Sequence, residues 1–191
     1  MATPLGHSLA GYAICQFVTP KTSNPSRDWQ LLSISMAQLP DLDFLPGFLM
    51  GRPTLYHQGI THSIGFALLI SLGTAIICRL RGKPLSAAFS LCFLSYLSHL
   101  LLDMLSPDGR LPYGIPLLWP LSSAHFTGPM ALLLGVHHAD SHLASVWDWV
   151  KSLLHPSNLA ALALETFWLV PWILWGRRYR RSRTHKQYAG G

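Results

Sequence analysis

Three stretches of the chain are almost continuously apolar. Ser63–Leu80 carries a charge only at Arg79, Leu85–Leu105 is interrupted only by His99 and Asp103, and Leu159–Gly176 only by Glu165. Each has 18 to 21 residues, close to the roughly 20 that an α-helix needs to cross the hydrocarbon of a bilayer. The connection Arg81-Gly82-Lys83-Pro84 is short and forces the first two into a hairpin. Pro171 is expected to kink the third. Two shorter helices precede them, His7–Val18 after Pro4 and Gly6, and Trp29–Leu39 ending at Pro40. Both are too short to span unaided, so they are expected to lie tilted or half-buried against the hairpin. Lys21–Arg27, with its Ser, Asn and Pro, reads as the turn between them.

Residues 106–158 break this pattern. They hold Pro, Gly, Trp and five histidines, with short apolar runs such as Met130–Val136. An irregular region with one or two short helices is expected. The whole predicts an all-α fold, a polytopic membrane helix bundle. It forms one domain over residues 1–176, with 106–158 as an irregular insertion and 177–191 as a basic tail.

Composition supports the membrane. Only 12% of residues are charged, against about 25% in soluble domains. Cys15, Cys78 and Cys92 all lie in apolar segments without a CxxC pair, and are expected to pack rather than react. The first residues lack the basic start of a signal peptide, so insertion is expected to use internal segments.

The polar residues sort by end. If successive helices run antiparallel, His7, Asp41, Asp43, His62, His99 and Asp103 all fall at one end of the bundle. Lys21, Arg27, Arg79, Arg81, Lys83 and the six tail cations, Arg177 to Lys186, fall at the other. Only Arg52, Arg110 and Lys151 share the His/Asp end. By the positive-inside rule the basic end and the C-terminus face the cytoplasm, and the His/Asp end faces the periplasm or outside. A basic tail directly after an apolar helix reads as a membrane anchor rather than a nucleic-acid grip, so no nucleic-acid partner is expected.

His99 and Asp103 stand four residues apart and so share one helical face. Asp41 and Asp43 follow a helix stop, and His57-Gln-Gly-Ile-Thr-His62-Ser63 brings two histidines in a turn, where Thr61 is a candidate cap for the next helix. Histidine with carboxylate ligands suits divalent ions, zinc first and manganese next, and the set is too large for one four-coordinate zinc. His57, His138 and His142 are weaker candidates. Glu165 is an intramembrane acid, read equally as functional or as a helix-packing hydrogen bond. No GxSxG elbow or phosphate-cradling glycine loop is present.

Five motifs in order, Gly6-His7-Ser8, Pro40-Asp41-Leu42-Asp43, Gly59-Ile60-Thr61-His62-Ser63, Ser98-His99 through Asp103, and Gly114-Ile-Pro-Leu-Leu-Trp-Pro120, resemble the inner-membrane-associated, LexA-regulated family of metal-dependent hydrolases. The resemblance covers about the first 120 residues. His99-x-x-x-Asp103 also looks like the first His-x-x-x-Asp motif of zinc-dependent phospholipase C and the related single-strand nucleases, all-helical enzymes with three zinc ions. Their second such motif has no clear counterpart; His138-x-x-x-His142 is nearest, with His in place of the acid.

The resulting expectation is a multi-pass inner-membrane hydrolase of a phosphoester, with lipid or another phosphoester as substrate and the bilayer as partner. His7, Asp41, Asp43, His62, His99 and Asp103 would hold the metals. A water made acidic by the ions would attack, with Asp41 or Asp43 as base. The alternative is a non-enzymatic metal-binding membrane protein or a transporter component.

Overall fold

The computed structural model describes residues 1–20, 24–109, 111–138 and 145–189, with side chains of the last helix described through Ser182. Lys21, Arg110 and His142 lie outside the described residues. The chain is helical, with no strand among the described residues. Its elements are α1 (Pro4–Val18), α2 (Arg27–Gln38), a 3-10 turn (Leu39–Asp43), α3 (Phe44–Leu49), a second 3-10 turn (Ile60–His62), α4 (Ile64–Leu80), α5 (Leu85–Met104), α6 (Val146–Ser152) and α7 (Ser157–Ala189).

Local chemistry sets these limits. Thr3 caps α1 by accepting from the Gly6 amide, with Pro4 in the first turn, where its missing N–H costs nothing. Ser63, rather than Thr61, caps α4 by accepting from the Phe66 amide. Thr61 is drawn instead to Asp43, 2.9 Å away. The helix predicted over Trp29–Leu39 gives way at Leu39-Pro40, and the chain continues as a tight turn into α3, which periodicity did not announce. Among the described residues of the irregular region, α6 is helical and α7 begins at its last two residues. Met130–Val136, despite its apolar run, is not helical. Pro171 sits inside α7 without ending it.

Among the described residues two helices are long and apolar enough to cross a membrane, Leu85–Met104 and Ser157–Ser182; α4, at 17 residues, is shorter. The centre of the assembly is α5, which packs on α1, α2 and α4, while α7 lies along α1. Small residues allow close approach. A Cβ on Gly11 would lie 2.7 Å from the Ser33 carbonyl oxygen and 2.8 Å from the Ala37 Cβ. Ser33 donates to the Gly11 carbonyl and bonds Ser95 at 2.7 Å, so one hydroxyl ties α1, α2 and α5. Interfaces of this kind suit helices whose apolar faces gain nothing by leaving lipid. Cys15, Cys78 and Cys92 are buried thiols among Trp29, Ala75, Ala88 and Leu91 or beside Tyr96, as packing residues should be.

The segment 111–138 folds back over one end of the bundle. The Gly128 amide donates to the Met104 carbonyl, the Leu132 and Leu133 amides to Leu105, the Val136 amide to Met1, and the Ile64 amide to Leu117. It covers the end at which α1 begins, α4 begins and α5 finishes.

Candidate metal centre

At that end the sequence-predicted residues converge. Asp41, His62, His99 and Asp103 each offer one ligand atom, and these atoms lie within 4.8 Å of one another. His62 Nε2 is 3.2 Å from His99 Nε2, 3.4 Å from Asp103 Oδ2 and 3.7 Å from Asp41 Oδ1. His99 Nε2 is 3.3 Å from Asp103 Oδ2 and 3.5 Å from Asp41 Oδ1. Four ligands about 2.0–2.1 Å from a tetrahedral ion lie about 3.3–3.4 Å from each other. The Asp103 Oδ2 and Asp41 Oδ1 atoms are buried and have no hydrogen-bond partner, an arrangement that costs free energy unless a protonated imidazole or a metal cation stands beside them.

The two imidazoles are fixed in one tautomer by what lies behind them. His99 Nδ1 is 2.7 Å from the Ala37 carbonyl oxygen, which can only accept, so Nδ1 carries hydrogen and Nε2 presents a lone pair. His62 Nδ1 is 3.1 Å from Thr61 Oγ1 and 3.1 Å from Asp43 Oδ2. Because Thr61 donates to that same carboxylate oxygen, its Oγ1 is free to accept from Nδ1. Two Nε2 lone pairs then face each other at 3.2 Å, which requires a proton or a metal ion at that point. Such outer partners are what orient metal-ligating histidines.

The remaining candidates stand behind these four. Asp43 bonds His57 Nδ1 at 3.0 Å through Oδ1 and Thr61 through Oδ2, so both its oxygens are engaged. With His57 and His62 it forms a second group of possible ligands, but at ordinary hydrogen-bond distances. His7 stacks on His99, ring centroids 3.7 Å apart, and its Nε2 lies 3.3 Å from Asp103 Oδ1. That oxygen also accepts from the Ala2 amide at 2.9 Å. His138 is not in either group; it lines, with His57, Asp108 and His137, a cavity of about 390 Å³.

Electrostatics follow the packing. Burial alone would raise the Asp41 carboxyl, but the imidazoles of His99, His62 and His7 hold it well below the usual range. Asp43, likewise opposed by burial, is brought down to about 2 by His57 and His62. Burial lowers His57. For His62 the effect of burial is outweighed by Asp103, Asp41 and Asp43, and its pKa rises well above the ordinary value.

Sequence reasoning missed the groups that tune the site. The Tyr96 hydroxyl donates to the Thr61 carbonyl at 2.7 Å, holding the His62 turn to α5. Its position one turn before His99 was a signal. The Ala37 carbonyl and Ala2 amide left none, because backbone groups carry no sequence mark. Glu165 resolves as a helix-packing group: it accepts from the Thr3 amide at 2.9 Å and from the Thr3 hydroxyl.

Residues 1–182 match the YdjM inner membrane protein family. The chain belongs to that family. It is 35% identical over 139 residues to the inner membrane protein YbcI of Escherichia coli K12, covering 63% of this chain and 76% of that protein. It is 33% identical over 134 residues to the inner membrane protein YdjM of E. coli K12 and to that of Shigella flexneri, covering 62% of this chain and 65% of each relative, just under two thirds. No solved structure matches. These names speak of the inner membrane and carry no reaction.

Proposed function

We propose that this protein is a multi-pass inner-membrane protein whose Asp41, His62, His99 and Asp103 hold one divalent metal ion, zinc first and manganese next, for hydrolysis of a phosphoester. The observation that carries the reading is the set of four buried ligand atoms within 4.8 Å of one another, two of them carboxylate oxygens without a hydrogen-bond partner. Zinc and manganese both accept mixed imidazole and carboxylate ligands.

When bound, such an ion polarises a phosphoryl oxygen and lowers the pKa of a water beside it. The chain's own residues do the rest. Asp43 keeps His62 and His57 aligned. His7 and the Ala2 amide hold Asp103 by Oδ1, which leaves Oδ2 for the centre. Asp41 has a side chain 14% exposed, whereas those of His62, His99 and Asp103 are fully buried. Water and substrate therefore arrive on the Asp41 side. Asp43, with both oxygens engaged, is a positioning residue rather than the base.

The family's inner-membrane character supports a bilayer partner, and the basic far end and tail support a cytoplasmic C-terminus. The domain is read as residues 1–176 with 177–191 as a basic tail.

A metal staple without catalysis is the second reading. Four protein ligands from three separate segments can close a structural site. The full chain, purified in detergent and supplied with zinc or manganese, is expected to cleave a generic phosphodiester or phosphomonoester, and chelation is expected to abolish this. Stoichiometric metal with no cleavage of either would leave the staple.

A further inference from the structure

Helix α6 and the start of α7 form one braced corner, with only Leu153–Pro156 between them. The Asn158 side chain, in the first turn of α7, donates to the Ser152 and Leu153 carbonyls at the end of α6. It also accepts from the His137 amide and donates to the His137 carbonyl. The apolar run of α7 begins directly afterwards, at Leu159. Three sectors divide α6. Trp149 points inward: its ring meets Phe48 edge-on at 5.0 Å and lies 5.6 Å from Phe44, which stacks on His57 at 3.9 Å. This contact places α6 at the metal-centre end. Asp148 is exposed and closes a capping box with Ser145. The third sector is apolar. The turn continues through Leu154, whose amide donates to the Lys151 carbonyl. Trp147, Val150 and Leu154 are therefore spaced by three and four residues along one face, and all three are exposed.

We propose that α6 is an interfacial helix, seated with Trp147, Val150 and Leu154 in the surface of the leaflet on the metal-centre side. This rests on the multi-pass reading and is independent of hydrolysis. The chain passes from α6 directly into α7, which is long and apolar enough to cross the membrane and exposes Leu159, Phe167, Trp168, Trp172 and Trp175. The braced corner therefore holds α6 at the level where α7 leaves the bilayer. A short helix there, apolar on one sector and charged on another, lies with its apolar face about 5–10 Å into the headgroup boundary. Tryptophan favours that depth. The Lys151 ammonium, 5.4 Å from the Trp147 ring centre, lays its stem along the ring and keeps its charge among the headgroups. Three side chains fall far short of the roughly 1,200 Å² that a stable protein interface buries, so lipid rather than a second copy is the partner this face fits.

Single cysteines carrying an environment-sensitive fluorophore test this in the full chain, reconstituted in nanodiscs of phosphatidylethanolamine and phosphatidylglycerol. The native thiols are buried, and the α6 positions to be changed are exposed, so the packed side of the helix stays intact. A lipid with a nitroxide near its headgroup should quench label at Trp147→Cys, Val150→Cys and Leu154→Cys about threefold more than label at Asp148→Cys, with the reverse order for aqueous iodide. Label at Trp168→Cys, in the middle of α7, should respond to a nitroxide low on the acyl chain and reports separately on the multi-pass reading. Equal iodide quenching at all four α6 positions, with Trp168→Cys still in lipid, would overturn the interfacial seat alone. Iodide access at Trp168→Cys as well would remove the spanning reading together with it. Self-quenching at Trp147→Cys that grows with the number of chains per nanodisc, in place of quenching by lipid, would give the face to a second copy and overturn the proposal.

Discussion

Glu165 and Arg180, both on α7, hold the opposite ends of α1. Glu165 accepts from the Thr3 amide at its start. Arg180 donates to the Cys15, Thr19 and Pro20 carbonyls at its finish. A carboxyl group at a helix amino end and a guanidinium at its carboxyl end each complement the helix dipole and its unpaired backbone groups. The two contacts fix the axial position of α1, and His7, one turn beyond Thr3, stands against Asp103 in consequence.

Removing either hold should cost stability. Glu165→Ala leaves the buried Thr3 amide and hydroxyl without their acceptor, a loss of about 1–3 kcal/mol. The thermal midpoint of the detergent-purified protein should fall by several degrees. Glu165→Gln retains an acceptor oxygen and should lose less. Equal midpoints for Glu165→Ala and the parent chain would show that the contact contributes nothing.

Gly11→Ala tests the path from helix packing to the metal. Its Cβ would press on the Ser33 carbonyl and on Ala37, the residue whose carbonyl holds His99 Nδ1. Overpacking of this kind costs about 1–3 kcal/mol. Metal affinity, measured by competition with a chromophoric chelator, should weaken along with stability. A stability loss with unaltered affinity would separate the helix contact from the site.

The outer carboxylate should matter less than the inner ones. Asp43→Asn should weaken metal binding about 10–100-fold, the usual effect of an outer-shell partner, with one equivalent still reached at higher metal. Asp103→Asn should abolish stoichiometric binding while helicity by circular dichroism persists. If Asp43→Asn and Asp103→Asn behaved alike, Asp43 would be a ligand in its own right.

Metal uptake should depend on pH with a definite sign. In the metal-free cluster His62 has a raised pKa, because Asp103, Asp41 and Asp43 outweigh burial, so it carries a proton at neutral pH. The ion must displace it. Apparent affinity should therefore rise with pH through neutrality and flatten above the raised pKa of His62, and calorimetry in buffers of different ionisation enthalpy should report proton release. Binding with no proton release at neutral pH would contradict this assignment.

Much of the site was legible in the sequence because its side chains sit where helices begin and end. His7, Asp41, His62 and Asp103 could be placed at one end from the antiparallel run alone, and the structure brings them within reach of one another. What periodicity could not give was rank. Asp41 and Asp43 differ by two residues, yet one faces the centre and the other stands behind it, because the tight turn at Leu39–Asp43 points them differently. The fold-back of residues 111–138 was also invisible, since it is built from backbone hydrogen bonds to helix ends rather than from an apolar repeat, and α3, at six residues, is too short to show one.

The central claim is a single ion held by Asp41, His62, His99 and Asp103, and X-ray absorption on the zinc-loaded, detergent-purified chain, with metal quantified on the same sample, tests it most directly. The expected result is about one zinc per chain with only nitrogen and oxygen neighbours near 2.0–2.1 Å, including two imidazoles, and loss of the signal in His62→Ala and His99→Ala. Zinc at background level in the parent chain, or zinc retained unchanged in both variants, would contradict it.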